Sequence, residues 1–166
     1  MRNVLIQVSF IVTSHLALAQ VSEKIEGVVR VAGGGLSQEI QLLGEGDEKS
    51  TVLCENDLVF RIKKLAAMTI QVNGSWVQLK QSPKKCFSAS EFRVLKHISG
   101  REALVGILSK SKNTYAVKGD DGKDHLISEV PAGLAKLEGK KVILDVMSIT
   151  TSSKKSLKVV SYGEYP

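Results

Sequence analysis

Apolar and polar positions in this chain alternate in short runs, and each run ends in a cluster of turn-forming residues. Period-two patterning interrupted by Gly, Asn, Asp, Ser or Pro marks half-buried strands joined by turns. It predicts strands over Ile25–Val31, Gln38–Leu43, Ser50–Cys54, Thr69–Val72 with Ser75–Leu79, and Glu91–His97. A second set follows over Ala103–Ser109, Thr114–Lys118, Lys123–Ser128, Lys141–Ser148 and Ser156–Val160. Asn73-Gly74 and Asp121-Gly122 supply the positive φ of two-residue hairpins, and Gly46-Asp47 reads as a third such turn.

The two sets repeat one another. Gly27 with Val28-Val29 corresponds to Gly106 with Ile107-Leu108, Ile40 through Asp47 to Tyr115 through Gly122, and Phe92-Arg93-Val94 to Leu157-Lys158-Val159. One stretch in each half departs from strand patterning, and it falls at the same place. Glu55–Leu65 carries Asn56 and Asp57 as N-caps before an apolar run; its counterpart Ser128–Leu137 carries Ser128 ahead of Pro131, then Leu134, Ala135 and Leu137. Both are expected to form a short helix. Three strands, a helix and two strands is the order of the five-stranded Greek-key OB barrel, so the expected fold is all-β, with two small OB-like barrels in tandem. An SH3-like barrel is the rival and requires no helix there.

Before Gln20 the pattern is different. The α-amine and Arg2 precede a run from Val4 to Leu16 that is apolar except at Gln7, Ser9, Thr13, Ser14 and His15, and Ala17-Leu18-Ala19 follows. That is the form of a secretory signal peptide cleaved before Gln20. The run falls short of the ~20 residues a membrane span needs, so no transmembrane segment is expected after cleavage. The expected layout is a leader over residues 1–19, a first barrel over 20–97 and a second over 98–166, in a periplasmic or secreted protein. No Cys follows the cleavage point, so the lipoprotein pattern is missing.

Composition sharpens this picture at two points. The formal net charge of +6 becomes +5 without Arg2, and the remaining cations are eighteen Lys against four Arg. Arg is the residue of bidentate phosphate and base recognition, so a Lys-dominated balance points to diffuse attraction to polyanions or to surface solubility. Cys54 and Cys86 are the only cysteines, and an even pair in an exported chain reads as a disulfide. A metal site would need further ligands at ligand spacing, and a redox site would show C-x-x-C; neither accompanies the pair.

The second half resembles a bacterial OB-fold family of periplasmic proteins. The resemblance rests on Val105-Gly106-Ile107-Leu108, on Tyr115 through Asp121-Gly122, on Leu137-Glu138-Gly139-Lys140-Lys141-Val142-Ile143-Leu144 and on Ser156-Leu157-Lys158-Val159, within residues 96–162. It implies a small exported barrel with an envelope-associated binding role. The family's acidic Gly-Glu-Val-Asp-like fourth strand is replaced by Val146-Met147-Ser148.

Catalytic chemistry finds little purchase. Of the mature histidines, His97 closes a predicted strand and His125 lies within one, and both read as exposed or half-buried strand residues. Asp120-Asp121-x-x-Asp124 lacks calcium-loop spacing and reads as a turn, and Gly33-Gly34-Gly35 has no following Lys-Ser/Thr and reads as a loop. No enzyme activity, metal or cofactor is expected. Single-strand nucleic-acid binders stack bases on aromatics of the second and third strands, where the second half offers Tyr115 alone; Trp76 reads as a packing residue. Nucleic acid is therefore the less favoured partner.

The loops joining strands one to two and four to five bound the ligand face of an OB barrel. Lys110 and Lys112 are assigned to the first of these loops and Lys154 and Lys155 to the second, so they are expected to converge on one rim. Lys84 and Lys85 occupy the first half's own four-to-five loop, beside Cys86. The expected function is a non-catalytic binding or accessory module that recognises an anionic envelope component. Single-stranded nucleic-acid binding and an exported hydrolase with an unrecognised site are the alternatives.

Overall fold

The computed structural model describes residues 22–34, 38–44, 50–79, 84–151 and 154–166. The leader, Gly35 and the expected Gly46-Asp47 turn lie outside them. Ten strands run in chain order: β1 Glu23–Ala32, β2 Glu39–Leu43, β3 Ser50–Val52, β4 Thr69–Gln78, β5 Lys85–Lys96, β6 Ala103–Ser111, β7 Thr114–Gly119, β8 Asp124–Glu129, β9 Lys141–Thr151 and β10 Lys154–Glu164. One α-helix, α1, spans Asp57–Lys63 between β3 and β4.

The first five strands form a sheet in the order β3-β2-β1-β4-β5, and the last five a closed barrel in the order β10-β8-β7-β6-β9. The barrel closes where β10 runs parallel to β8, with Leu157 opposite Ile127 and Lys158 opposite Glu129. The Ser128 hydroxyl donates to the Leu157 carbonyl at 3.2 Å across this seam, and Lys158 pairs with Glu129 at 2.7 Å. In the first half the outer strands meet, among the described residues, at one parallel bridge, Leu53 with Phe87. The Cys54 N–H donates to the Phe87 carbonyl at 3.0 Å beside it, and a Cys54–Cys86 disulfide fixes the same spot. A covalent link thus stands where the second half uses a longer ladder.

Two turn expectations are corrected. Asn73-Gly74 is not a hairpin: β4 runs through it unbroken, with a register shift at Asn73/Gly74. The glycine serves close packing, since a Cβ there would come within 2.7 Å of the Phe87 ring. The connection to β5 lies beyond Gln78, so β5 begins at Lys85 rather than Glu91. Asp121-Gly122 does form a turn, with Gly122 at φ 77° and the Asp121 carboxylate accepting from the Lys123 N–H at 3.0 Å. It belongs to a connection of four residues between β7 and β8, not two.

The interruptions of strand pattern differ from each other. In α1 the Asn56 carboxamide oxygen accepts from the Val59 N–H at 2.9 Å, an N-cap that satisfies one otherwise orphaned donor. The second half has a 3₁₀ turn over Leu134–Leu137, capped at Gly133 with no side-chain bond. Ser128 cannot cap it because β8 extends to Glu129 and Ser128 is occupied at the barrel seam.

The cores follow strand alternation. Val29, Ile40, Leu42, Ile62, Ile70, Val72 and Phe87 fill the first, and Leu108, Val117, Leu134, Val142, Leu144 and Val159 the second. On β9, Val142 and Leu144 point into the barrel, so Ile143 points out of it; Ile143 and Val105 of β6 complete the first core. Burying such side chains contributes roughly 1.5–3 kcal/mol each. The halves are therefore joined by shared packing as well as by the tight turn at His97–Arg101, where the His97 N–H donates to the Arg101 carbonyl at 2.8 Å.

Gly106 tests the close approach of β6 and β7. A Cβ there would lie 2.6 Å from a Val117 methyl and 2.7 Å from the Lys118 carbonyl carbon. Gly106→Ala should cost about 1–3 kcal/mol in urea denaturation, as overpacking does. Gly34→Ala, whose new methyl meets nothing within 4 Å, should change stability by no more than about 0.5 kcal/mol. Equal effects would remove the packing role assigned to Gly106.

Candidate functional site

The predicted lysines fall in three places. Lys110 lies in β6 and is paired with Tyr115 of β7, its ammonium 5.3 Å from the ring centroid. Lys112 occupies the two-residue turn between these strands, in the left-handed region at φ 54°. Neither lysine belongs to an ion pair among the described residues. Lys154 and Lys155 begin β10, opposite Thr151 and Thr150, and their side chains lie outside the described residues. Lys84 and Lys85 stand at the start of β5.

Among the described residues only the backbone positions of Lys154 and Lys155 can be set against those of Lys110 and Lys112. The strands β6 and β9 are antiparallel, from Ala103 opposite Asp145 to Ile107 opposite Lys141. The Lys112 turn lies beyond the second end of that ladder, and the start of β10 at Lys154 lies beyond the first. Tyr115 is also placed differently from a base-stacking platform. It shares a strand face with fully buried Val117 and packs against the second core. The outward positions of β7 and β8 carry Thr114, Ala116, Lys118, Asp124, Leu126 and Ser128, without an aromatic ring. Trp76 sits edge-on to Phe87, centroids 5.4 Å apart, with its indole N–H on the Glu23 carboxylate at 3.0 Å.

A groove of about 620 Å³ opens below the Leu53–Phe87 bridge of the first half. It is lined by the apolar Ile40, Val52, Val59, Phe60 and Leu79, by both disulfide cysteines, and by Glu39, Glu55 and Lys63. Phe60 and Leu79 are 62% and 44% exposed, unusual for large apolar side chains on one groove. Apolar concavities of this size are the usual form of binding sites.

Sequence reading missed a buried polar group at the junction of the halves. Asp145 of β9 is 2% exposed and receives Arg101 through two bonds, 2.8 Å from Nε and 2.6 Å from Nη2. These bonds, with help from Ser99, hold the Asp145 carboxyl below its usual range against the opposing effect of burial. His97, expected to be at least half-exposed, is 7% exposed, because the turn after β5 folds it against the barrel. Its Nδ1 lies 3.6 Å from Asp145 and its Nε2 3.2 Å from the Ser161 hydroxyl.

Ser161, His97 and Asp145 thus stand in the order of a hydrolytic triad, but the connections differ from one. A triad carboxylate orients its histidine through a hydrogen bond to Nδ1. Here both carboxylate oxygens are engaged by Arg101, and His97 Nδ1 is a buried atom with no hydrogen-bond partner. The group reads as an ion pair that fastens the inter-half turn to the barrel. His125 lies 3.5 Å from Asp121, whose carboxyl is held low chiefly by the Lys123 backbone N–H. No group of three or more metal-ligating side chains occurs among the described residues.

A second contact spans the halves. The Arg61 guanidinium lies 5.6 Å from the Phe92 ring, Phe92 stacks on Tyr165 at 5.6 Å and 15°, and the Lys141 ammonium caps Tyr165 at 4.6 Å. Two rings between two cations make favourable use of each ring's negative face. Arg61 also donates to the Pro166 carbonyl at 3.1 and 2.7 Å, and burial raises the Tyr165 hydroxyl above its usual pKa.

No protein-family model matches the chain, and no curated protein is significantly similar to it. Among solved structures, a murine DNA-binding protein bound to double-stranded DNA is similar at 13% identity over 82% of this chain and 93% of its own, with a TM-score of 0.25. A likeness at that level carries no argument about fold or partner. Among the described residues no helix is long and apolar enough to cross a membrane.

Proposed function

We propose that the chain is an exported, non-catalytic binding module of the bacterial envelope, built from two OB-like barrels in tandem over residues 20–97 and 98–166. The common pairing scheme supports the duplication: in each half the first strand pairs with the second and fourth, and the third meets the fifth in parallel. The leader-like sequence and the disulfide support export. The ligand is an anionic envelope component. The observation that carries this reading is the β6–β7 turn, where Lys110 is held on the Tyr115 ring beside Lys112, and neither cation is neutralised by a carboxylate within the described residues. With Lys154 and Lys155 at the other end of the same wall, an extended polyanion suits the surface better than a compact anion.

Reversing each end separately tests the proposal. Lys110→Glu with Lys112→Glu changes one end by four charge units, and Lys154→Glu with Lys155→Glu does the same at the other. Surface changes of this kind shift stability by about ±0.5 kcal/mol each, so both variants should stay folded. Each should lose co-sedimentation with cell-wall or outer-membrane fractions. Wild-type retention should fall as salt shortens the Debye length from about 10 Å at 0.1 M to about 3 Å at 1 M. Unchanged retention of both folded variants would return these lysines to a solubilising role.

A further inference from the structure

The two halves meet along a continuous cleft. Three adjoining cavities of about 590, 270 and 430 Å³ follow the junction; the middle one shares Arg93 and Asp120 with the first, and Glu102 and His125 with the third. Of the four arginines after the leader, Arg61, Arg93 and Arg101 all line this cleft, and only Arg30 does not. Most of the charge along it is already engaged. The Arg61 guanidinium is bonded to the Pro166 carbonyl, and Arg101 to Asp145. Asp120 pairs with Lys141 at 3.1 Å, while Asp121 accepts from the Lys123 N–H and stands 3.5 Å from His125. In the first cavity Glu91 accepts from the Asn73 carboxamide at 3.1 Å. Two opposite charges remain. Arg93 of β5 and Glu102, just before β6, both line the middle cavity, and among the described residues neither belongs to an ion pair, not even with the other.

We propose that the middle cavity binds a small zwitterion, an amino acid or dipeptide with an apolar side chain, its carboxylate on Arg93 and its ammonium on Glu102. The charges on the wall decide against simpler ligands. A lone anion would meet Glu102, Asp120 and Asp121 there, and a lone cation would meet Arg93. A zwitterion gives each unpaired group its opposite charge, in a concave site whose apolar walls focus both fields. The Arg93 fork matches a carboxylate through two parallel N–H···O bonds, and the Glu102 oxygens accept from an ammonium. Leu95, Leu104 and Val105 line the same cavity and receive the apolar side chain. The site is separate from the lysines of the β6–β7 turn and stands whether or not they bind a polyanion.

The test uses the full disulfide-bonded chain, titrated with leucine and, separately, with leucylglycine at constant ionic strength. Both probes carry the two charges, at different spacings, and the tighter binder identifies the source the cavity accepts. Amide chemical-shift changes should saturate and should centre on Val94 and on residues 102–105 and 119–121. Removing one charge of the tighter probe, by N-acetylation or by amidation of its carboxylate, leaves the protein untouched. Each change should weaken binding by about tenfold or more, as losing hydrogen bonds to a charged partner does. Arg93→Gln and Glu102→Gln, both at exposed positions, should each have a similar effect with the fold retained, whereas Arg30→Gln should leave affinity within about twofold. Undiminished binding of the acetylated or amidated probe, an Arg30→Gln loss equal to that of Arg93→Gln, shift changes centred on the Lys110–Lys112 turn, or no saturable binding of either probe would each overturn the proposal.

Discussion

Arg101→Ala should be strongly destabilising for a polar substitution, because it leaves the buried Asp145 carboxylate without the two bonds that hold it. Asp145→Asn should cost less, about 1 kcal/mol. The asymmetry follows from exposure. The Asp145 side chain is 2% exposed, so losing Arg101 strands a negative charge out of water; the Arg101 side chain is 44% exposed, so water takes over when the carboxylate goes. The acid dependence follows too. Because the folded-state pKa of Asp145 lies below its usual 3.8, its contribution is present above the unfolded value and lost as pH falls through the folded one. The gap between wild type and Arg101→Ala in urea denaturation should therefore narrow in acid. Equal costs of the two substitutions, or a gap constant with pH, would contradict the assignment.

Replacing both cysteines, Cys54→Ser with Cys86→Ser, should cost about 3–4 kcal/mol on the chain-entropy account of a cross-link of this span. The loss should be uneven. The first half's outer strands share one bridge beside the disulfide, whereas the barrel closes through its own ladder. Amide exchange should accelerate first in β3 and in Lys85–Ala89, with β7 and β8 keeping their protection. Uniform acceleration through all ten strands would show that the disulfide stabilises the whole molecule and not the seam.

These two sites differ in how far the sequence disclosed them. The disulfide was legible because two cysteines and an export-like leader leave few alternatives. Strands were legible wherever alternation persisted, as in Val142-Ile143-Leu144, although alternation could not say that Ile143 would leave its own barrel for the neighbouring core. Asn73-Gly74 misled because glycine serves both positive φ and close packing, and only the Phe87 ring across the sheet decides between them. Conversely, Lys112 turns a hairpin without glycine at its left-handed position. The Arg101–Asp145 pair was beyond reading, since its members are 44 residues apart and each is an ordinary strand or turn residue locally. The groove was equally hidden: no pattern announces that β3 stops after three residues.

The shared core sets an order of events for a chain delivered N-terminus first. Residues up to His97 contain every strand of the first sheet, yet the cavity those strands enclose lacks Val105, Ile143 and the ring of Tyr165 until much later segments arrive. Domains that emerge early ordinarily fold early, but here the leading half gains the last of its core cover only from the trailing half, whose own buried cluster takes nothing from the first. The order of delivery and the order in which the first core is completed are thus not the same along this polypeptide, because its last apolar cover comes from Val105, Ile143 and Tyr165.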